Sequence, residues 1–562
     1  MKLIFIFLNI FLVSSMQPEK FNSIRMYEVF VSTYSDGDTK IGFQEGWGPS
    51  KYTNSYGGDL QGIINNLPKI AEMGFNAIWM TPVFDTKYTE SQNKPSTYCK
   101  KHSSTGYFAV DYFNIDPHFG TNEKFKELVD TAHKNNLWVI LDGVFGHIKG
   151  KECGVQTPES SWGYVPTILA SSAPDYSKVD YNDNGSSMNY FKEVIMHWMR
   201  NYDIDGWRLD VANELSLYPD QNNAVKGNLA KEFVKVVAQA TKLNEMDGKQ
   251  WGVLGYMVGE VFQGSVQSLK EWYGNEEQES FYSYFDFASY YIYLRAFGVQ
   301  TDGQKSTTFT ELKEALNYHT KYYPKWSHPN MFIGNHDILR IGNLIKRRTG
   351  VKPTNQIYWN YHLAIQTYQL MYPGPITMYY GEEVGEYLDC FEKDSETGDS
   401  TCGGAAEDNM ARSNPTPENK LTKYQKEHRE KIVKLLQWRA KHPIASCRAC
   451  KTELVQNQQL KGIVLRHNDN NTVIDSAVKL VYAINLMRTS TTFELKYGDK
   501  MVDILTGEEI NGQGKLQMKP NTTRIFAVYR PGGENDFPVV AQKSSSFKVF
   551  GVLILCLLFV VF

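Results

Sequence analysis

The sequence has no long run of basic residues, and its formal net charge of -3 comes from interspersed signs. Nucleic acid is held chiefly by clustered Lys and Arg, so a nucleic-acid partner is not expected. No glycine-rich phosphate loop follows the first strand-like run, which argues against a nucleotide-binding doubly wound sheet. Cysteine is sparse, at seven residues, and no His-rich spacing accompanies it, so the cysteines do not read as a zinc site. What the chain does have is length and apolar material. Its 562 residues are 42% hydrophobic and 14% aromatic, enough for a large core and more than one domain.

Two apolar stretches mark the ends. "MKLIFIFLNIFLVSS" carries one Lys, an apolar run too short to span a bilayer, and the small residues Ser14 and Ser15. It reads as a signal peptide over residues 1–15. At the other end, a polar linker over 532–546 includes Ser544 to Ser546 and leads into an apolar tail, 547–562, with no basic residue after it. That layout fits a glycosylphosphatidylinositol signal or a hydrophobic membrane anchor. The expectation is therefore a chain of the secretory pathway, at the cell surface or outside the cell, with its C-terminus on a membrane. Six cysteines between the two ends then read as disulfides. Proximity favours Cys390 with Cys402 and Cys447 with Cys450, leaving Cys99 with Cys153. Asn184, Asn470 and Asn521 open N-x-Ser/Thr acceptor sites.

Eight short apolar or β-branched runs recur along the chain: "YEVFVS", "AIWM", "WVILDGVF", "GWRLDVA", "YMVGEVF", "YFDFASY", "MFIGNHD" and "ITMYYGEE". Segments with apolar spacing of three and four lie between them, as in Ile63 to Met73 and Tyr190 to Arg200. Alternation of strand and helix implies parallel pairing with right-handed crossovers, and eight repeats match an α/β fold of the (β/α)8 barrel type. The third crossover is long and rich in Gly, Pro, Ser and Asp, which predicts a small irregular domain over 148–188, inserted in a barrel of 26–147 and 189–445. Beyond the barrel, "GIVLRH", "LVYAIN" and "RIFAVYR" alternate in polarity and predict a C-terminal antiparallel β domain over 446–531.

Barrel enzymes place their chemistry at the C-terminal ends of the strands. The ionisable residues there are Asp142 and His147 after the third run, Arg208 and Asp210 in the fourth, Glu260 in the fifth, and His336 and Asp337 in the seventh. Arg208 and Asp210 stand two apart and so on one face of a strand. An opposite charge at that distance favours the ionised carboxylate. Glu260, flanked by Val258, Val261 and Phe262 and by other acids, is expected to hold its proton to higher pH. Carboxylates converging on one cleft repel each other, an arrangement found mainly where perturbed ionisation is useful.

In order, "ILDGVFGH", "DGWRLDVANE", "MVGEVF" and "FIGNHD" resemble the four signature regions of the α-amylase family of glycoside hydrolases. "GGDLQGIINNL", "STGYFAVDYFNIDPHFGT" and "PITMYYGEE" extend the likeness over roughly 26–530. The resemblance implies a retaining α-glucan hydrolase acting on starch, glycogen or maltodextrins. Asp210 would be the nucleophile, Glu260 the general acid/base and Asp337 the transition-state stabiliser, with about 5 to 5.5 Å between the Asp210 and Glu260 carboxyls. Tyr107, His147, Arg208 and His336 would line the sugar subsite, and no cofactor is needed for the chemistry.

Two positions depart from the family pattern. Gly146 stands where the first signature usually has Asn, a ligand of a structural calcium between barrel and inserted domain. Asn213 and Glu214 replace a Lys-His pair, as in the cyclomaltodextrinase, neopullulanase and maltogenic amylase branch. Calcium ligands could still come from Asp36 and Asp38, in a turn after the first run, or from Asp175 in the insertion. A 4-α-glucanotransferase is the alternative enzyme; a catalytically silent amylase-like ectodomain is the alternative outside enzymes.

Overall fold

The computed structural model describes residues 16–43, 57–87, 103–150, 157–169, 176–215, 228–274, 280–299, 312, 315, 318, 321–387 and 411–531, the last without 459 and 499. Seven strands form one parallel sheet. They are Arg25–Val29, Ala77–Met80, Trp138–Gly143, Gly206–Leu209, Tyr256–Gly259, Ser283–Tyr284 and Ile376–Tyr379. The first six pair in chain order, and the first also pairs with the last. Parallel bridges from Phe285 to Asn330 and from Met331 to Ile376 close the ring. The eighth position of the barrel is thus filled by the backbone at 330–331, where no longer strand forms. Almost every strand residue is buried, because helices cover the outside and side chains fill the inside, so these runs are apolar throughout rather than alternating.

Helices return the chain between strands, and their starts are written locally. Asp59 accepts from Gly62 N ahead of Leu60–Glu72, and Thr121 accepts from Lys124 N ahead of Asn122–Lys134. Leu60, Ile63, Ile64, Leu67 and Ile70 give the first of these helices its buried stripe. One reading changes at "YFDFASY". Only Ser283–Tyr284 is extended, and Asp286 then caps a helix over Phe287–Ala296 by accepting from Ser289 N. The aromatic run looked strand-like because its helix is buried nearly all round, which removes the three-four spacing.

The insertion is more regular than its composition suggested. His147–Lys149 pairs antiparallel with Tyr176–Asp180, which pairs in turn with Thr167–Ile168. This small sheet grows directly from the mouth of the third barrel strand. At the C-terminal side, helix Lys423–Lys441 leads into a six-stranded antiparallel sheet and a separate two-stranded one. Ile463, Val481, Phe493, Met501 and Phe526 form their own core. Buried Arg439 ties this region to the barrel by donating to the carbonyls of Leu370, Tyr372 and Ala445. Cys447 and Cys450 are disulfide-bonded, as expected; Cys99, Cys153, Cys390 and Cys402 lie outside the described residues. Among the described residues no helix is long and apolar enough to cross a membrane.

Candidate active site

Strand register builds the centre of the site. Asp142 on the third barrel strand is the cross-strand partner of Arg208 on the fourth, which in turn faces Val258 on the fifth. The ladder continues one step further, with Asp210 N donating to Gly143 O and Glu260 N to Leu209 O. Three acids from adjacent strands are therefore brought to one guanidinium. Arg208 Nη1 lies 2.9 Å from Asp142 Oδ1 and 2.8 Å from Asp210 Oδ1, and Nη2 lies 2.8 Å from Glu260 Oε2. Trp79 and Tyr107 present their ring faces to the same guanidinium, 5.0 and 5.6 Å from its central carbon.

Asp142 is the anchor of this cluster. It is fully buried and accepts from Arg208, from Trp79 Nε1 at 3.1 Å and from the Tyr107 hydroxyl at 2.9 Å. Removing one member of a buried charge cluster leaves the others uncompensated. Arg208→Met is accordingly expected to lower the unfolding free energy by about 3–5 kcal/mol at pH 7. Urea denaturation of the two proteins measures this; an unchanged midpoint would mean the acids are not held by Arg208.

A second cluster flanks the first. Glu28, on the first barrel strand, accepts from His336 Nδ1 at 2.7 Å, and His336 Nε2 lies 3.0 Å from Asp337 Oδ2. Arg412 Nη2 lies 2.6 Å from Asp337 Oδ1 and its Nε donates to His336 O. Burial works to lower the His336 pKa, but Asp337 and Glu28 outweigh it and push it up to about 10. Burial likewise opposes ionisation of Asp337, yet His336, Arg412 and Arg208 hold it well below the usual carboxylate range. Glu260 goes the other way. Burial pushes it up to about 7; Arg208 pulls it down, while Asp210 and Asp337 repel its charge.

Tyr107, His147, Asp210, His336, Asp337 and Arg412 line one open cleft of about 530 Å³, solvent included. Tyr107 stacks on His336 with ring centres 5.2 Å apart, and its hydroxyl points at Asp142, so the ring is braced from two sides. His147 Nε2 stands 3.9 Å from Asp210 Oδ2. Glu260 attaches to this group through the Arg208 fork and through Val211 N, which donates to its Oε2. Val211 has a φ of 40°, in the left-handed region that a β-branched residue rarely adopts. Such strain persists where surrounding structure fixes it, and here it turns the chain sharply after Asp210.

All seven residues singled out in the sequence, Asp210, Glu260, Asp337, Tyr107, His147, Arg208 and His336, meet at this mouth. Others were given no role there. Glu28 was visible as the one acid inside "YEVFVS", and Asp142 as the acid of "ILDG". Arg412 left no signal, because it comes from a segment with no strand or helix pattern. The turn around Asp36 and Asp38 is folded by its own hydrogen bonds: Asp59 Oδ2 accepts from Gly37 N and Asp38 N, and Asp38 Oδ1 accepts from Lys40 N. Asp175 lies outside the described residues. Among the described residues no group of three His, Cys, Asp or Glu side chains could hold a metal ion.

A family profile for the α-amylase catalytic domain matches residues 28–161 and 159–473. The chain belongs to the α-amylase family of glycoside hydrolases. The solved structure of AmyP in complex with maltose is 31% identical, with a TM-score of 0.77, and the alignment covers 91% of this chain and 97% of that one. A cyclomaltodextrinase from Geobacillus thermopakistaniensis is 26% identical over 384 residues, covering 64% of this chain and 55% of the relative. An intracellular maltogenic amylase from Bacillus subtilis is 25% identical over 390 residues, covering 66% of this chain and 56% of the relative. The chain thus spans little more than half the length of these two α-amylase relatives. The likeness to the cyclomaltodextrinase branch read from Asn213 and Glu214 stands with them.

The intracellular relative overturns the expectation of a secreted or surface-anchored protein. That expectation rested on two short apolar runs, and runs of such length also mark segments buried in protein. Both lie outside the described residues.

Proposed function

We propose that this α-amylase family member hydrolyses α-1,4-glucosidic bonds of starch, glycogen or maltodextrins by double displacement. The observation that carries the reading is the pair of acids from adjacent strand ends held on one guanidinium at the cleft. Asp210 and Glu260 share Arg208, and burial pushes Glu260 up to about 7. A site of this kind keeps one carboxyl available as a proton donor beside a carboxylate that faces a permanent cation.

In the first step Asp210 Oδ2, the oxygen facing His147, attacks the anomeric carbon while Glu260 protonates the departing glycosidic oxygen. In the second, Glu260 takes a proton from water, which displaces Asp210 from the sugar and restores the α configuration. Asp337, held ionised by His336 and Arg412, faces the positive charge that develops on the ring. Tyr107 offers a braced aromatic face and His147 an N–H donor to hydroxyls, while His336, whose ring nitrogens reach Glu28 and Asp337, lines the sugar subsite. The carboxyls of Asp210 and Glu260 are expected about 5 to 5.5 Å apart, as retention requires. The chemistry asks for no cofactor. We assign it to a barrel of 26–147 and 189–445, with the insertion at 148–188 and the β domain at 446–531 as its flanks.

The test is the configuration of the first product. Proton NMR of maltotriose hydrolysis is expected to show the α-anomer of the new reducing end before mutarotation; a β-anomer appearing first would refute double displacement. Glu214 in the second signature favours a cyclomaltodextrinase-type preference within the same mechanism. Cyclodextrin consumed faster than starch is the expected sign of that preference. Oligosaccharides longer than maltotriose appearing early would instead mark a glucanotransferase.

A further inference from the structure

The family resemblance implies a calcium ion between barrel and inserted domain, and the described residues at that junction do not fit one. Gly146 offers no side-chain ligand, and its carbonyl already accepts from Val179 N at 2.9 Å. A Cβ at Gly146 would lie 2.8 Å from both Cβ and Oε2 of Glu214, so a larger residue and Glu214 cannot share this space as it stands. Glycine at 146 is what leaves room for Glu214.

A cation is nevertheless present there, supplied by the chain. Lys178 is the cross-strand partner of His147 in the inserted sheet. Its ammonium lies 2.9 Å from Glu214 Oε1. Glu214 Oε2 lies 3.5 Å from His147 Nδ1, and His147 Nε2 lies 3.9 Å from Asp210 Oδ2. Glu214 itself sits in the short turn Ala212–Glu214 that immediately follows Asp210 and the strained Val211. The inserted sheet thus grips the loop that presents Asp210, through alternating charges and a histidine.

We propose that the Lys178 ammonium is the built-in cation of this junction, positioning Glu214 and His147 against Asp210, so that this junction needs no divalent ion. This deepens the glucan-hydrolase reading and rests on it only for the activity readout. A tethered ammonium supplies one charge and up to three donors, and it cannot be lost by dilution or chelation. An ion of the calcium type requires six to eight oxygens, and among the described residues no group of three His, Cys, Asp or Glu side chains could hold one.

The experiment uses the full chain, dialysed against EDTA and then titrated with calcium chloride. The midpoint of thermal unfolding and kcat/KM on maltotriose are both expected to be the same before and after chelation, and calorimetry is expected to show no calcium binding at micromolar concentration. A midpoint that falls on chelation and returns with calcium would overturn the proposal. Lys178→Met is expected to lower kcat/KM about tenfold, mainly through kcat, because the loop bearing Asp210 shifts while distant sugar contacts persist. Lys178→Arg should recover most of the loss, since it restores the charge. Equal kcat in the Met variant and the parent, or no recovery in the Arg variant, would remove Lys178 from the positioning role. Unfolding and calorimetry report on the junction without substrate. An inactive protein whose midpoint ignores calcium would sink the glucan reading and leave this one standing.

Discussion

Asp210→Asn is expected to lower kcat/KM on maltotriose by at least about 10⁴-fold, which corresponds to roughly 5.5 kcal/mol of lost transition-state stabilisation. The substitution keeps the shape of the side chain and removes its nucleophilicity. Folding should survive it, because Arg208 retains Asp142 and Glu260 as partners. Near-ultraviolet circular dichroism and the unfolding midpoint serve as the control. No neighbouring acid can take over. Asp142 is fully buried and already accepts from three donors, and Asp337 is engaged by His336 and Arg412. A variant with activity within tenfold of the parent would show that the covalent step runs through another group or does not occur.

The same substitution separates two influences on Glu260. Burial is the main reason its pKa rises to about 7, and repulsion from Asp210 adds to it. With Asp210 neutralised, that repulsion disappears while the desolvation stays. Glu260 is therefore expected to titrate at lower pH in Asp210→Asn than in the parent, although still above an ordinary glutamate.

Much of this site was legible because its chemistry follows strand periodicity. Arg208 and Asp210 fall two apart in a run that is otherwise apolar, and that spacing alone places them on one face. Strand ends then gather Asp142, Glu260 and Asp337 at one mouth, since a closed parallel barrel points all its strands the same way. Register was not legible. That Asp142 is the direct cross-strand partner of Arg208 depends on how the third and fourth strands align, which no local pattern states. Arg412 was invisible for a related reason: it reaches Asp337 across 75 positions from an irregular segment. The ordered sheet inside the insertion was hidden as well. Its strands are short, and their pairing is fixed by the barrel strand from which they emerge rather than by their own composition. Location was misread because apolar end segments carry composition and no context.

Glu260→Gln is expected to divide substrates by their need for a proton. On maltotriose, whose departing group is a sugar alkoxide, the loss should be about 10³-fold, the usual scale for general acid catalysis. On α-glucosyl fluoride the leaving group departs without protonation, so Asp210 can still form the glycosyl intermediate and release one equivalent of fluoride rapidly. Turnover should then stall, because the glutamine cannot activate water for the second step. The pH profile supplies an independent check with a fixed sign. In the parent, Glu260 must carry its proton, so kcat/KM on maltotriose is expected to fall as pH rises through about 7. Glutamine has no proton to lose in that range, and the fall should vanish from the variant. Equal losses on both substrates, or a variant that keeps the alkaline fall, would show that the acid in this cleft is a different residue and that the burial of Glu260 serves only to hold Arg208 in place.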